Sequence, residues 1–449
     1  MALRKGDIIK VSFGALSYKG YGLGTYDGRE VAVPGALPGE RAKIEVLRRP
    51  RHRIVGRLVE VLESPYSRVE PRCTHFGTCG GCLWQDLPYE VQLGLKEGLV
   101  REYLEDHLDG PLLPILPSPQ LWGYRNKMEF SFDRGPEGVV LGLHPRGRFD
   151  VTFDLSECPI SPPPFPKVVS FVRDLARRTS LPPYDLRTHE GLLRFLILRR
   201  SPKTREALIG ITSSGRHDKL TLVARELGEA FPEVRGVVGI FNPSPGQFAY
   251  GGKREVLWGE ERFREEVEVG GKRFTFYLSL VSFFQTNSGG AERLYEVVRE
   301  FAGLSGRERV LDLFCGVGTI ASVLAPESKE IVGVEVVEEA VEDGLRNLRE
   351  NYLGNVRLIS GTAEDALRSL DGPFHLAVVD PPRAGMHPKA RRELLELSPD
   401  RIIYVSCNPK SLKEDLEVLL KGYRAVRARP LDLFPHTPHV ETVVELVHR

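Results

Sequence analysis

A multidomain protein is predicted, with a small β-barrel over residues 1–62, an α+β centre over 63–280 and a doubly wound α/β domain over 281–449. Three observations predict it. Residues 6–62 alternate apolar and polar positions between glycine-rich turns, the pattern of short strands that close into a barrel. Cys73, Cys79 and Cys82 fall in the run CTHFGTCGGC and Cys158 follows in ECPI, a layout of soft ligands for a metal. From about residue 285 onward, apolar strands that each end in a polar residue alternate with helical segments, as in a mostly parallel sheet.

The elements follow in order. Segments 7–11, 30–33, 41–46 and 54–59 read as barrel strands, punctuated by Pro34-Gly35 and Pro38-Gly39. A helix is predicted over 88–107, packing on the C-terminal domain, and the proline-rich stretch 111–119 is a connector. The centre mixes helices with strands such as 126–132 and 193–199. In the last domain, strands are predicted at 310–314, 330–335, 375–380, 401–406 and 443–447, with helices at 340–351 and 388–397. Alternation makes Glu445 a solvent-facing residue of the final strand.

Composition narrows the class. The 449 residues, 41% hydrophobic and 27% charged, suit a globular protein with well-buried cores. The net charge of +1 names no partner. The local run Arg48-Arg49-Pro50-Arg51-His52-Arg53 suits a polyanion, with a solvated basic loop as the plainer reading. No apolar run approaches the ~20 residues that cross a bilayer, and MALRKGD is no signal peptide. Six cysteines, three of them tightly spaced, suit metal ligation in a reducing cytoplasm rather than disulfides. Spacing alone leaves zinc and an iron–sulfur cluster both open, with His75 a further candidate zinc ligand.

Four motifs carry chemistry. DLFCGVGT, from Asp312, is a glycine turn after a buried strand, and Glu335 ends the next strand, where an acid accepts bonds from ribose hydroxyls. The fingerprint is not G-x-G-x-x-G, so S-adenosylmethionine fits better than NAD. Asp380 in DPPRAG is a carboxylate held rigidly at a strand end, able to read a base edge or simply to cap a turn. Cys407 in SCNP is a nucleophile candidate at the sheet's carboxyl edge, against the reading of a buried strand cysteine. Glu441 in HVETV starts the last strand and is either a base or a surface glutamate.

Together these motifs resemble the S-adenosylmethionine-dependent RNA uracil-5 methyltransferases. CTHFGTCGGC with ECPI is similar to the iron–sulfur branch of that family, and the N-terminal barrel resembles an OB-like TRAM domain, which points to large-subunit ribosomal RNA as substrate. The resemblance spans essentially the whole chain. It implies an iron–sulfur α+β centre and a Rossmann-like methyltransferase domain. It also implies Cys407 as nucleophile at uracil C6, Glu441 as base, S-adenosylmethionine held by Gln285, Phe314 and Glu335, and Asp380 either bonding the target base or lying beside the cofactor as a further contact to it. A [4Fe–4S] cluster on Cys73, Cys79, Cys82 and Cys158 is implied as well, and RNA contacts by the basic run. One departure is Thr319-Ile320, where members often carry Asn and an aromatic.

Transfer RNA is the close alternative substrate, cytosine-5 methylation a weaker one, and a non-catalytic RNA-binding or redox-sensing protein the reading from another class. A cytoplasmic monomer is expected.

Overall fold

The computed structural model describes residues 3–48, 52–136 and 138–449. Strands β1 (Ile8–Leu16), β2 (Tyr21–Tyr26), β3 (Arg29–Pro34), β4 (Arg41–Arg48) and β5 (Arg53–Glu63) close a barrel in the order β1-β2-β3-β5-β4. Ile9, Val11 and Phe13 alternate inward to meet Val31, Val33 and Ile44, so period-two patterning closes the barrel. Within the basic run, Arg53 is ion-paired with Glu30 and Arg48 is exposed. Arg49 and Arg51 lie outside the described residues.

Helix α1 (Tyr89–Leu104) precedes the central strands β6 (Lys127–Gly135), β7 (Gly138–Leu143) and β8 (Phe153–Asp154). Next come α2 (Pro164–Arg178), β9 (Leu193–Arg200), β10 (Ala207–Ser213), α3 (Asp218–Ala230), β11 (Val234–Phe241) and β12 (Lys253–Gly259). The strands form one sheet in the order β12-β11-β10-β9-β6-β7-β8. Val168 and Val172 of α2 and Leu220 and Val223 of α3 cover one face. The other face, with Ile197 and Leu208, shares a core with the hairpin β13 (Phe263–Val269) and β14 (Lys272–Leu278).

The remaining elements are α4 (Ser288–Ala302), β15 (Arg309–Leu313), α5 (Thr319–Leu324), β16 (Glu330–Glu335), α6 (Glu338–Glu350), β17 (Val356–Ser360) and α7 (Ala363–Ser369). They continue with β18 (Leu376–Val379), α8 (Pro388–Leu397), β19 (Arg401–Ser406), α9 (Pro409–Leu419), β20 (Tyr423–Leu431) and β21 (Glu441–His448). The sheet order is β17-β16-β15-β18-β19-β21-β20. The first five strands are parallel, and β21 runs antiparallel between β19 and β20. Its first residue therefore stands at the same edge as the last residues of β18 and β19. Val100 and Leu104 of α1 join Leu412 and Leu416 of α9 in the core on one face.

Glu445 is not solvent-facing, as alternation suggested. It is buried, and its carboxylate accepts from Arg427 Nε at 2.5 Å and lies 3.6 Å from Arg401 Nε. Strand β21 is internal with both faces packed, so period two marks which face a residue takes but not whether that face is wet. Two arginines make the burial tolerable.

Candidate active site

The carboxyl edge of the C-terminal sheet gathers the predicted residues. After β15 the chain turns through Phe314, Gly316 and Gly318 with φ of +63°, +54° and +75°. Glycine takes that left-handed region freely, whereas Phe314 pays roughly 1–2 kcal/mol for it. Glu335 fastens the turn, accepting from Gly316 N at 3.0 Å and Val337 N at 2.9 Å. Gln285, Phe314 and Asp380 line one cleft with Tyr295 and Asp312. Asp312 is wholly buried; one oxygen accepts from Ala321 N at 3.0 Å and the other, Oδ1, has no partner. Burial, aided by Asp380, pushes its carboxyl up to about 8, and burial alone pushes Asp380 to about 7. A buried acceptor left without a donor beside a left-handed glycine turn fits a ligand rich in hydroxyl and amino groups.

Beside this cleft stand Asp380, Cys407 and Glu441, contributed at one edge by β18, β19 and β21. Ser406 pairs with Thr442 across the β19–β21 ladder, so Cys407 and Glu441 are the next residues outward on each strand. Burial and then the Glu441 charge push the half-buried Cys407 thiol up to about 12, while Arg383 opposes the rise. Burial and then Asp380 raise Glu441 to about 8, again opposed by Arg383. The DPPRAG and SCNP motifs are physically tied: Asn408 Nδ2 and Ser411 Oγ both donate to Arg383 O, at 2.9 and 3.1 Å. Asn408 also caps α9, accepting from Lys410 N at 3.1 Å. The arrangement can present a sulfur, a cation and two proton-accepting carboxylates to a flat ring.

The other thiol of the last domain is different. Cys315 is buried, lines the cleft floor beside Phe314 and Gly316, and packs against Gly333 of β16, where an added Cβ would lie 3.0 Å from its sulfur.

Cys73, Cys79, Cys82 and Cys158 line a second cavity of about 420 Å³. Two staples join its halves: Thr74 N donates to Glu157 at 2.6 Å, and Ser156 N donates to His75 Nε2 at 3.2 Å. The second bond engages Nε2 of His75, the further candidate zinc ligand, with the segment that carries Cys158. Arg146 Nη2 donates to the carbonyls of Cys79 and Cys82. Burial raises all four thiols, and each feels at least one of the others. Among the described residues, no three His, Cys, Asp or Glu side chains are gathered around one metal-ion position.

Sequence reasoning passed over Arg383 and His439. Arg383 Nη2 donates to His439 Nδ1 at 2.8 Å, and burial followed by the arginine's charge lowers the imidazole to about 3. The only available signal was position, one residue inside DPPRAG and two before Glu441.

Fold and cleft together define an S-adenosylmethionine-dependent methyltransferase, and comparison with known proteins places it more closely. The family described as tRNA (Uracil-5-)-methyltransferase matches residues 249–449. An uncharacterized RNA methyltransferase of Caldanaerobacter subterraneus subsp. tengcongensis is 41% identical over 449 residues, covering 98% of this chain and 99% of that one. One from Clostridium tetani is 36% identical over 454 residues, covering 99% of each. The crystal structure of Pyrococcus abyssi tRNA (uracil-54, C5)-methyltransferase with S-adenosyl-L-homocysteine is similar with a TM-score of 0.76 at 27% identity, covering 98% of this chain and 100% of that one. The chain belongs to the S-adenosylmethionine-dependent RNA (uracil-5-)-methyltransferase family. Among the described residues, no helix is long and apolar enough to cross a membrane.

Proposed function

We propose that the protein methylates C5 of a uridine in RNA through a covalent adduct between Cys407 and C6 of the base. The observation that carries the reading is the convergence of Cys407, Asp380 and Glu441 at one sheet edge beside the Gln285–Phe314–Asp312 cleft. Uracil is electron-poor at C6, so a Cys407 thiolate adds there and charge develops at C5. S-adenosylmethionine, when bound, would supply an electrophilic methyl group that the activated C5 accepts, the breaking S–CH3 bond releasing S-adenosylhomocysteine. Glu441 then takes the C5 proton, and the electrons of that C–H bond restore C5=C6 and expel the Cys407 thiolate. Arg383, the cation that draws the thiol down, favours the thiolate at the first step. Gln285, Phe314, Glu335 and Asp380 are assigned to the cofactor. The target uridine must leave its stack to reach a thiol at the sheet edge.

The four cysteines are assigned to a [4Fe–4S] cluster that holds the central fold together. One shared cavity lined by four thiols supports this. A zinc ion needs donors ~2.0–2.3 Å from a single point, whereas a four-iron cluster spreads its cysteines around a larger body.

Large-subunit ribosomal RNA is the substrate that the barrel and cysteine set favour by resemblance. Transfer RNA has a specific observation behind it too: the archaeal enzyme named for uracil-54 of tRNA covers 98% of this chain, so the likeness extends into the barrel. Methyl transfer from labelled S-adenosylmethionine to unmodified ribosomal and transfer RNA transcripts, with the product nucleosides identified, separates them. Label in 5-methyluridine of one transcript assigns the substrate; absence of label from both removes the proposed reaction.

A further inference from the structure

We infer that α1 and the chain just after Cys82 are positioning elements for Glu441: Gln92, Lys96 and the Leu83 and Trp84 amides shape the segment 432–440 and thereby set where that carboxylate stands. The inference rests on the reading of Glu441 as the base.

Segment 432–440 has no helix or strand of its own, so its path is set by what holds it. Most of the holders lie more than three hundred residues earlier in the chain. Lys96, fully buried on α1, donates to Asp432 at 2.5 Å and to Phe434 O at 3.0 Å. Gln92, also fully buried, accepts from His436 N at 2.8 Å and faces His436 Nδ1 at 3.3 Å. Leu83 N and Trp84 N both donate to His436 O, at 2.9 and 3.0 Å. Tyr124 OH donates to Pro435 O at 3.0 Å. The barrel adds a contact: a Cβ on Gly20 would stand 2.4 Å from Pro438 Cβ, so only glycine lets that turn approach.

His436 is the pivot. Its φ of +67° is a left-handed conformation that costs a non-glycine residue about 1 kcal/mol or more. It persists because backbone and ring are all engaged: Nε2 meets Leu121 O at 3.1 Å, and Trp122 stacks on the ring at 3.9 Å. Three residues beyond lies His439, which meets Arg383, and two further is Glu441. Neither Gln92 nor Lys96 approaches the cleft itself; both act through the loop. Cys82 is the residue before Leu83, so the wall that shapes the loop is continuous with the cysteine-lined cavity.

The test is single-turnover methylation with the full-length protein, following covalent protein–RNA adduct and released 5-methyluridine separately. Gln92→Leu keeps bulk and removes both contacts to His436. It should form adduct within about threefold of the wild-type rate yet resolve it about tenfold more slowly, the effect of ~1.4 kcal/mol at that step. Tyr124→Phe deletes a single hydroxyl, leaves packing intact and should show a smaller delay of the same kind. Glu441→Gln is the control and should accumulate adduct. If it does not, the base assignment fails and the inference with it. Adduct build-up in Glu441→Gln but normal resolution in Gln92→Leu and Tyr124→Phe overturns the inference alone. Equal loss of adduct formation and release in both variants also overturns it, since general damage to the fold slows every step.

Discussion

Cys407 and Glu441 are the next residues outward from the Ser406–Thr442 pair, at the edge where parallel β19 meets antiparallel β21. The inversion of β21 is what makes the meeting possible. A parallel last strand would begin at the far edge, and its first residue would never reach the thiol. The proximity has an electrostatic consequence, because the Glu441 carboxylate raises the thiol it faces. Thiolate and carboxylate therefore disfavour each other, which suits groups used at opposite ends of a reaction.

Separating the two roles gives the first expectation. Cys407→Ala should lower turnover by at least ~10³-fold, since it removes the sulfur proposed to form the adduct. Glu441→Gln should instead leave protein covalently bound to RNA, visible as a retarded band on a denaturing gel. A Glu441→Gln enzyme that releases 5-methyluridine at the wild-type rate would remove this carboxylate from the proton-transfer step.

The pH dependence follows from the raised acids. Glu441 is pushed to about 8, so the base is mostly protonated at neutral pH, and adduct resolution should accelerate as pH rises through 8 before levelling. Cys407, pushed up to about 12, makes adduct formation rise across the same range. Stability runs the other way. The folded state keeps the Glu441 proton between the ordinary glutamate value and about 8 while the unfolded chain loses it, so this group makes the fold progressively less stable as pH rises through that window. Melting of Glu441→Gln against wild type at pH 5 and pH 8 checks the sign: the variant's advantage should be larger at pH 8. An equal difference at both values would mean that Glu441 is not held protonated by the fold.

The proposed cofactor site predicts a milder phenotype at Glu335. Glu335 accepts two backbone amides and closes the glycine turn, so Glu335→Gln loses a charged acceptor while keeping the shape. S-adenosylmethionine affinity, measured by calorimetry, should fall about tenfold for ~1.4 kcal/mol, with the single-turnover rate at saturating cofactor within a few-fold of wild type. A change confined to the rate would place Glu335 in the chemistry rather than in binding.

What the sequence made legible was set by local physics. Val310–Leu313, Glu330–Glu335 and Leu376–Val379 read as strands because a parallel sheet buried on both faces needs apolar runs, and Asp312, Glu335 and Asp380, at or next to their carboxyl ends, mark the ligand edge. The edge strands β17 and β20 escaped: VRLIS is short, and arginines interrupt YRAVRARPL. Glu445 was misread because its two arginine partners lie on other strands, beyond any local pattern. Gln92 and Lys96 were invisible for a related reason. Both are polar residues on the buried side of α1, and their partners lie more than three hundred residues away, so periodicity counts them as solvent-facing.

The cysteine cavity carries the last expectation. Its thiols are raised by burial and by one another, Cys82 to about 12, so without a metal the protonated thiol is the favoured form. A cluster would hold them as thiolates and lock together chain segments now stapled by Thr74–Glu157 and His75–Ser156. Protein purified anaerobically should therefore be brown and contain about four iron atoms per chain, and Cys79→Ser should bleach it and lower its melting temperature. Leu83 and Trp84 hold the Glu441 loop immediately after Cys82. The bleached variant should thus resolve RNA adducts more slowly than it forms them. A colourless wild-type protein containing zinc would refute the cluster while leaving the loop contacts in place.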